Sequence, residues 1–362
     1  MNILIFGAGA IGSYVGGHLA QRGHKVTLIS RSGADRLNGQ GLTIVKKSGD
    51  PIVVQPQAVR SIRQAVQEAD EKRIEYDFLL MTMKSYDVPD ALNEMAAFYT
   101  NPPDIVTLQN GINAEIPIVE QLGTNHVIPG SITTPVSFDA SYNVVEEKAN
   151  RGIALSGFDS KGYKQARQVA GIFQKSGIST SVIKSYESLK WSKALLNMIG
   201  NATSAILNRH PGTLYRSNAI YELEMRMLRE ALTVMHVLNI DVINLPGTPS
   251  KTLVQAMKWL PKSILKPLLT YQIQRGRGDK MPSFQIDLAN GRTRNEVYFH
   301  NGAVARVGRE MRVLTPVNAI LTDVLLKIAD ETYAWKHFDG KPKALLDIVN
   351  SYIREQRKTR AR

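Results

Sequence analysis

The chain contains no cysteine among its 362 residues. Disulfides, thiolate nucleophiles and cysteine-ligated zinc are therefore excluded, and the composition is compatible with a reducing, cytoplasmic setting. Long apolar runs are also missing. Nothing approaches the roughly 18 consecutive apolar residues that a membrane span requires, and the apolar start has no basic stretch before it to make a signal peptide. Negative charge is the scarcer sign, with 32 acidic against 45 basic residues and a net charge of +13. The excess is dispersed except in the tail, where Arg354, Arg357, Lys358, Arg360 and Arg362 read as a frayed, solvated end. No helix-turn-helix pattern, aromatic-interleaved basic segment or metal-ligand cluster accompanies the charge. Nucleic acid, membranes and metals are accordingly not expected as partners, and the charge is better suited to steering an anionic small molecule.

What remains is an ordinary globular composition, 43% hydrophobic and 21% charged, in a chain too long for one core. Two domains are expected. The first opens with an apolar strand running into Gly7, Gly9 and Gly12, a G-x-G-x-x-G loop followed by helical periodicity over residues 11–21, Gly23 as a stop, and a second strand over 25–30. Strand, loop, helix and strand in that order make a dinucleotide-binding βαβ unit. One glycine serves the tight turn, one the approach of a pyrophosphate and one the packing of helix on strand, with Ala10 and Ile11 at the helix start. The second strand ends at Ser30 and Arg31 rather than at an acidic residue. A guanidinium and a hydroxyl suit a 2′-phosphate, so NADP(H) is the expected cofactor.

Further strand-like segments at 77–83 and 104–108 end in polar clusters, Lys84-Ser85 and Gln109-Asn110-Gly111. Ligands of open α/β sheets gather at the carboxyl ends of strands, which makes Lys84 and Asn110 candidates for cofactor contact. More strands, several antiparallel, are expected near 127–138, 143–147, 152–156 and 181–183. After about residue 186 the pattern turns to long helical periodicity. The expected fold is thus α/β, a Rossmann-type dinucleotide-binding domain over 1–185 followed by an all-helical substrate domain over 186–362. The latter carries an insertion at 244–282 that reads as a subdomain or lid.

The helical segment 189–208 is mostly apolar, yet Lys193, Asn197 and Asn201 fall at i, i+4 and i+8, with Ser204 and Asn208 near the same side. Asparagine is a poor helix former, so this stripe reads as fixed hydrogen-bonding groups lining a cleft rather than as a solvated face. Ser283 after Pro282 is a helix N-cap candidate, and Thr315-Pro316 reads as an N-cap followed by a first-turn proline, starting a helix to about residue 330.

These motifs together resemble the ketopantoate reductase family. The resemblance is carried by the glycine loop, Lys84, Gln109-Asn110-Gly111, Trp191-Ser192-Lys193 with Asn197 and Asn201, Ser283 with Asp287, Glu296 followed by Asn301-Gly302, and Thr315-Pro316 with Asn318. It covers nearly the whole chain. It implies NADPH-dependent reduction of 2-dehydropantoate to pantoate, in pantothenate and coenzyme A synthesis. Lys193 would be the general acid, and Glu296 the second catalytic residue, positioning that lysine or touching substrate. Gly7, Gly9, Ala10, Ile11, Gly12, Ser30, Arg31, Lys84, Asn110 and Glu296 would contact cofactor; Asn110, Lys193, Asn197, Asn201 and Ser283 would bind substrate. The chain departs from the family pattern in a longer Ser283-to-Glu296 spacing, Tyr298 where an aspartate often stands, and the longer 244–282 stretch. Another 2-keto acid as substrate, a non-catalytic NADP(H)-sensing module, and a homodimer remain open readings.

Overall fold

The structure, a computed structural model, describes residues 1–99, 101–277 and 280–360. The chain forms two compact units. The first comprises Met1–Asn110, Ala114–Lys190 and Asn244–Pro249, the second Gly111–Asn113, Trp191–Ile243 and Ser250–Arg362.

The first unit is built on twelve strands: β1 (Asn2–Phe6), β2 (Lys25–Ile29), β3 (Leu42–Val45), β4 (Ile52–Val54), β5 (Gln57–Val59), β6 (Phe78–Met81), β7 (Ile105–Thr107), β8 (Val127–Ile132), β9 (Val136–Phe138), β10 (Val144–Glu146), β11 (Ile153–Leu155) and β12 (Thr180–Val182). Eight of them form one sheet in the order β12-β11-β8-β7-β6-β1-β2-β5, parallel from β5 to β8, with β11 antiparallel to β8. The others form a small second sheet, β4-β3-β10-β9. Parallel strands buried on both faces read as continuous apolar runs, and β1 is one. Ile3 and Ile5 enter one core cluster and Leu4 and Phe6 the other, because successive side chains point to opposite faces. Helices α1 (Ala10–Gln21), α2 (Ala34–Gln40), α3 (Ile62–Lys72), α4 (Val88–Ala96), α5 (Ile116–Leu122) and α6 (Ser160–Lys175) complete this unit. Chain order runs outward from β1 in both directions, which opens a crevice at the carboxyl ends of β1, β2 and β6.

The second unit is helical. Its elements are α7 (Tyr186–Met198), of which residues 186–190 group with the first unit, α8 (Ala202–Leu207), α9 (Pro211–Leu214), α10 (Asn218–Val237), α11 (Ser250–Trp259), α12 (Lys262–Arg277), α13 (Ser283–Ala289), α14 (Asn301–Glu310), α15 (Pro316–Ala329) and α16 (Pro342–Arg360).

Several expectations change. The helix expected over 189–208 is two helices, because Ile199, Gly200 and Asn201 form a turn with Gly200 at φ +60°. A side chain at 200 would strike Pro211, and the left-handed backbone there suits glycine. The units divide at 190/191 rather than 185/186, and residues 244–249 join the sheet unit, where Thr133 Oγ1 donates to Pro246 O at 2.7 Å. The remainder of the 244–282 stretch is no separate subdomain: Met257, Leu265, Leu269 and Ile273 belong to the main helical core. Residues 354–360 continue α16 instead of fraying, and Arg362 lies outside the described residues. The strands β3, β4 and β5, of three or four residues each, are too short to stand out by alternation in the sequence.

Candidate active site

The glycine loop joins β1 to α1 as its spacing predicts. Gly7 sits at φ +113°, and a Cβ on Gly12 would fall 2.1 Å from Gly7 O, so the turn closes only without side chains. Gly9 is the N-cap of α1, with no side chain supplying a capping bond, and a Cβ there would meet nothing within 4 Å. A helix start with open space at its cap is where a phosphate group fits. Thr82, just past β6, donates from Oγ1 to Gly7 O at 2.6 Å, tying the loop to the neighbouring strand.

The same sheet edge carries the other expected cofactor residues. Ser30 follows β2 directly, its Oγ accepting from Gly33 N at 3.1 Å. Arg31 is exposed, its side chain 79% accessible, and touches Glu94 only at 3.4 Å. Lys84 precedes a short 3-10 turn, Ser85–Asp87, and Ser85 Oγ donates to Asn110 O at 2.6 Å, so the ends of β6 and β7 are linked. Gly111 (φ +99°) is required by close approach, since a Cβ there would lie 2.5 Å from that of Phe299.

Sequence reasoning missed a buried ion pair in this unit. Lys190 and Glu115, 2% and 0% exposed, are joined at 2.5 Å. Lys190 Nζ also donates to Gln109 O at 2.7 Å and Gly130 O at 3.2 Å, while Glu115 accepts from Tyr186 and Thr107. Lys190 stands among Glu187, Ser188, Ser192 and Lys193, so nothing local in the sequence marks it as buried.

In the helical unit, α7 carries Lys193 and, one turn on, Asn197, both half-buried. Asn201 is buried in the turn after α7. Its Nδ2 donates to Asn197 O at 3.0 Å and to Ser283 Oγ at 3.4 Å, and its Oδ1 accepts from Phe284 N at 3.2 Å. Asn201 therefore caps α13. Ser283 is the first residue of that helix, with Pro282 at the N-cap position and no side-chain cap from either. Glu296, buried, opens a 3-10 turn, Glu296–Phe299, held by Asn295 Oδ1, which accepts from Val297 N at 2.9 Å. Asp287, expected beside Ser283, pairs with Arg292 at 3.6 Å.

Further polar groups missed by periodicity hold this region. Glu224, fully buried on α10, accepts from Gly200 N and Tyr215 Oη at 2.9 Å and from Thr203 Oγ1 at 2.6 Å, fixing the break between α7 and α8. Glu230 accepts from Val317 N at 3.1 Å and Asn318 N at 3.0 Å, and thus caps α15 in place of the expected Thr315, whose side chain makes no capping bond. Burial pushes the Glu230 carboxyl above its usual range. Asn318 donates back to Glu230, and Asn301 Nδ2 donates to Asn318 Oδ1 at 3.0 Å. Glu224 stands four residues from both Ile220 and Leu228, so a charge within a core stripe was the readable sign.

A Rossmann-type sheet unit and a helical unit carrying this lysine-asparagine helix place the chain among the two-part dinucleotide-binding oxidoreductases. More particularly, it belongs to the ketopantoate reductase family: the model described as Ketopantoate reductase PanE/ApbA matches residues 3–157, and its C-terminal counterpart residues 185–329. The chain is similar to the 2-dehydropantoate 2-reductase of Pyrococcus horikoshii, 29% identical over 325 residues, which cover 89% of this chain and 95% of that one. Among solved structures it shares its fold with the PanE/ApbA family ketopantoate reductase of Ralstonia eutropha (TM-score 0.74, 23% identity, covering 93% of this chain and 100% of that one). It also shares it with a D-mandelate dehydrogenase solved with NADH and anilino(oxo)acetate (TM-score 0.74, 20% identity, 91% and 99% covered). No described helix is long and apolar enough to cross a membrane.

Proposed function

We propose that the protein is a cytoplasmic reductase that converts 2-dehydropantoate to pantoate with NADPH, a step towards pantothenate and coenzyme A. In this reading the sheet unit holds the cofactor, and the helical unit supplies the substrate-binding and catalytic groups. The observation that carries the reading is the joining of Asn197, Asn201, Ser283 and the Glu296 backbone by hydrogen bonds, directly or through His300, on and around the helix that bears Lys193. The family membership and the names of the curated relatives support the same activity.

Gly7, Gly9, Ala10, Ile11 and Gly12 take the pyrophosphate, Ser30 and Arg31 the 2′-phosphate, and Lys84 and Asn110 the parts of the cofactor nearer the sheet edge. When bound, the reduced nicotinamide supplies the hydride that turns a C2 ketone into an alkoxide. Lys193 meets that oxygen with an N–H, stabilises the developing charge and gives up the proton. Glu296 positions Lys193 or touches the substrate, and Asn197, Asn201 and Ser283 hold the keto acid by neutral hydrogen bonds that fix its orientation.

The test is the decay of NADPH absorbance with 2-dehydropantoate, pyruvate and 2-oxoisovalerate. The expected result is turnover with 2-dehydropantoate at the highest kcat/KM of the panel. A higher value for another keto acid would replace the substrate. Tight NADPH binding with no turnover of any would replace the enzyme with a cofactor-sensing module.

A further inference from the structure

Arg36 stands in the first turn of α2, half-buried, and is absent from the roles assigned above. It pairs with no carboxylate among the described residues, its neighbour Asp35 being taken by Arg60. Its guanidinium carbon lies instead over the Tyr142 ring, 5.0 Å from the centroid. Tyr142 sits in the turn between β9 and β10 at φ +61°, and Asp139 holds that turn by accepting from Ser141 N at 2.9 Å and Asn143 N at 2.8 Å. A cation held by a ring rather than by a carboxylate keeps its charge for an anion from outside. Gly33 lies between Arg36 and Ser30. Its φ of −109° is open to residues with side chains, so the missing side chain there serves space and not the backbone. A Cβ on Gly33 would stand 2.8 Å from Ser30 Oγ and 3.9 Å from Arg36 Nη2, so a hydroxyl and a guanidinium flank one gap. Ser30 Oγ accepts from Gly33 N at 3.1 Å and donates to none of the described residues, which leaves its hydrogen for an acceptor in that gap.

We propose that Arg36, backed by Tyr142, binds the 2′-phosphate of the cofactor together with Ser30, and that the gap over Gly33 is the cradle this phosphate enters. The inference rests on the proposed reading that the cofactor is NADP(H), and it adds a second, better-fixed cation to Arg31. The Arg31 side chain is 79% accessible and already loosely tied to a carboxylate, so its bonds compete with water. A half-buried planar fork resting on a ring loses less freedom when it takes a phosphate. A ribose without the 2′-phosphate brings no charge to the cradle and gains little from the guanidinium. Binding of NADH is therefore expected to be nearly indifferent to residue 36.

The experiment titrates wild type, Arg36→Gln, Tyr142→Leu and Gly33→Ala with NADPH and NADH by fluorescence, and with 2′,5′-ADP and 5′-AMP by calorimetry, so no keto acid and no turnover is needed. Losing a charge-assisted hydrogen bond should weaken NADPH and 2′,5′-ADP roughly ten- to a hundredfold in Arg36→Gln, with NADH within about twofold of wild type. Tyr142→Leu, which keeps the cation but removes its support, should show a smaller loss on the same two ligands. Gly33→Ala, which fills the gap, should also weaken the two 2′-phosphorylated ligands and spare the others. Equal weakening of NADPH and NADH in Arg36→Gln would reveal a structural role and overturn the proposal, as would an unchanged NADPH affinity. A wild type that binds NADPH and NADH alike would instead overturn the NADP(H) reading, and this proposal with it.

Discussion

The sheet unit and the helical unit build their candidate sites from different material. At the end of β1 the site is backbone: Gly7, Gly9 and Gly12 bring peptide groups and a helix start into the open by having no side chains to obstruct them. Around α7 it is side chain: Lys193 and Asn197 stand in a region held by Asn201, His300, Glu224 and Glu230, each fixed by its own hydrogen bonds. A backbone site is specified by what must be missing, and missing side chains leave a spacing. A side-chain site is specified by partners far apart in sequence, and a buried polar group is tolerated only when those partners satisfy it.

The comparison breaks first at Lys193. Lys193→Ala should lower turnover roughly 10²- to 10⁴-fold while leaving NADPH affinity, followed by fluorescence titration, within about twofold. A variant close to wild-type rate would leave the helical unit with no chemistry to do. Next in size is Lys190→Met in the sheet unit. Removing one partner of a buried ion pair strands the other, and here Glu115 would lose its cation at 0% exposure, at a cost of about 3–5 kcal/mol in denaturant unfolding. Lys190→Met combined with Glu115→Leu should regain much of that loss, and failure to regain any would mean the pair does more than neutralise itself.

The same contrast explains what could be read in advance. The order strand, glycine loop, helix, strand was legible because each step has a local cause, and β1, α1 and β2 fall where the pattern puts them. The Lys193–Asn197 spacing was legible for the same reason. Its extension to Asn201 as one helix was not, because the turn at Gly200 depends on Glu224, which donates no local signal to residues 199–201 and reaches them only in the folded core. Thr315 and Ser283 have the residue types of helix caps, yet Glu230 and Asn201 perform the capping. Local propensity names the groups that could satisfy a helix end, and tertiary structure chooses a stronger or better-placed one.

A smaller effect is expected at Arg31, where the sheet unit departs from its reliance on backbone. Its side chain is exposed and only loosely tied to Glu94, so Arg31→Ala should leave the melting temperature unchanged. The ratio of kcat/KM for NADPH to that for NADH should nonetheless fall about tenfold, since a phosphate would lose its charge-assisted donors. An unchanged ratio would assign the 2′-phosphate to other groups.

The smallest effect sharpens the comparison through a second buried histidine. His18 in the sheet unit, like His300 in the helical one, donates from Nδ1 to a carbonyl, that of Ser176 at 3.1 Å, and it packs edge-on against Tyr14. Its Nε2 has no hydrogen-bond partner among the described residues, whereas that of His300 meets Asn197. Burial therefore holds the His18 pKa below its ordinary value of 6.5. The unfolded chain takes up a proton as pH falls past 6.5 and the folded chain resists, so this contribution to stability is complete above that pH. It is lost as pH falls from there through the folded pKa. Melting temperatures between pH 7.5 and 5.5 should decline, and His18→Asn, which keeps a donor for Ser176 but cannot titrate, should decline less. An equal decline in both would move the acid sensitivity to another imidazole, such as His24, whose pKa burial also lowers.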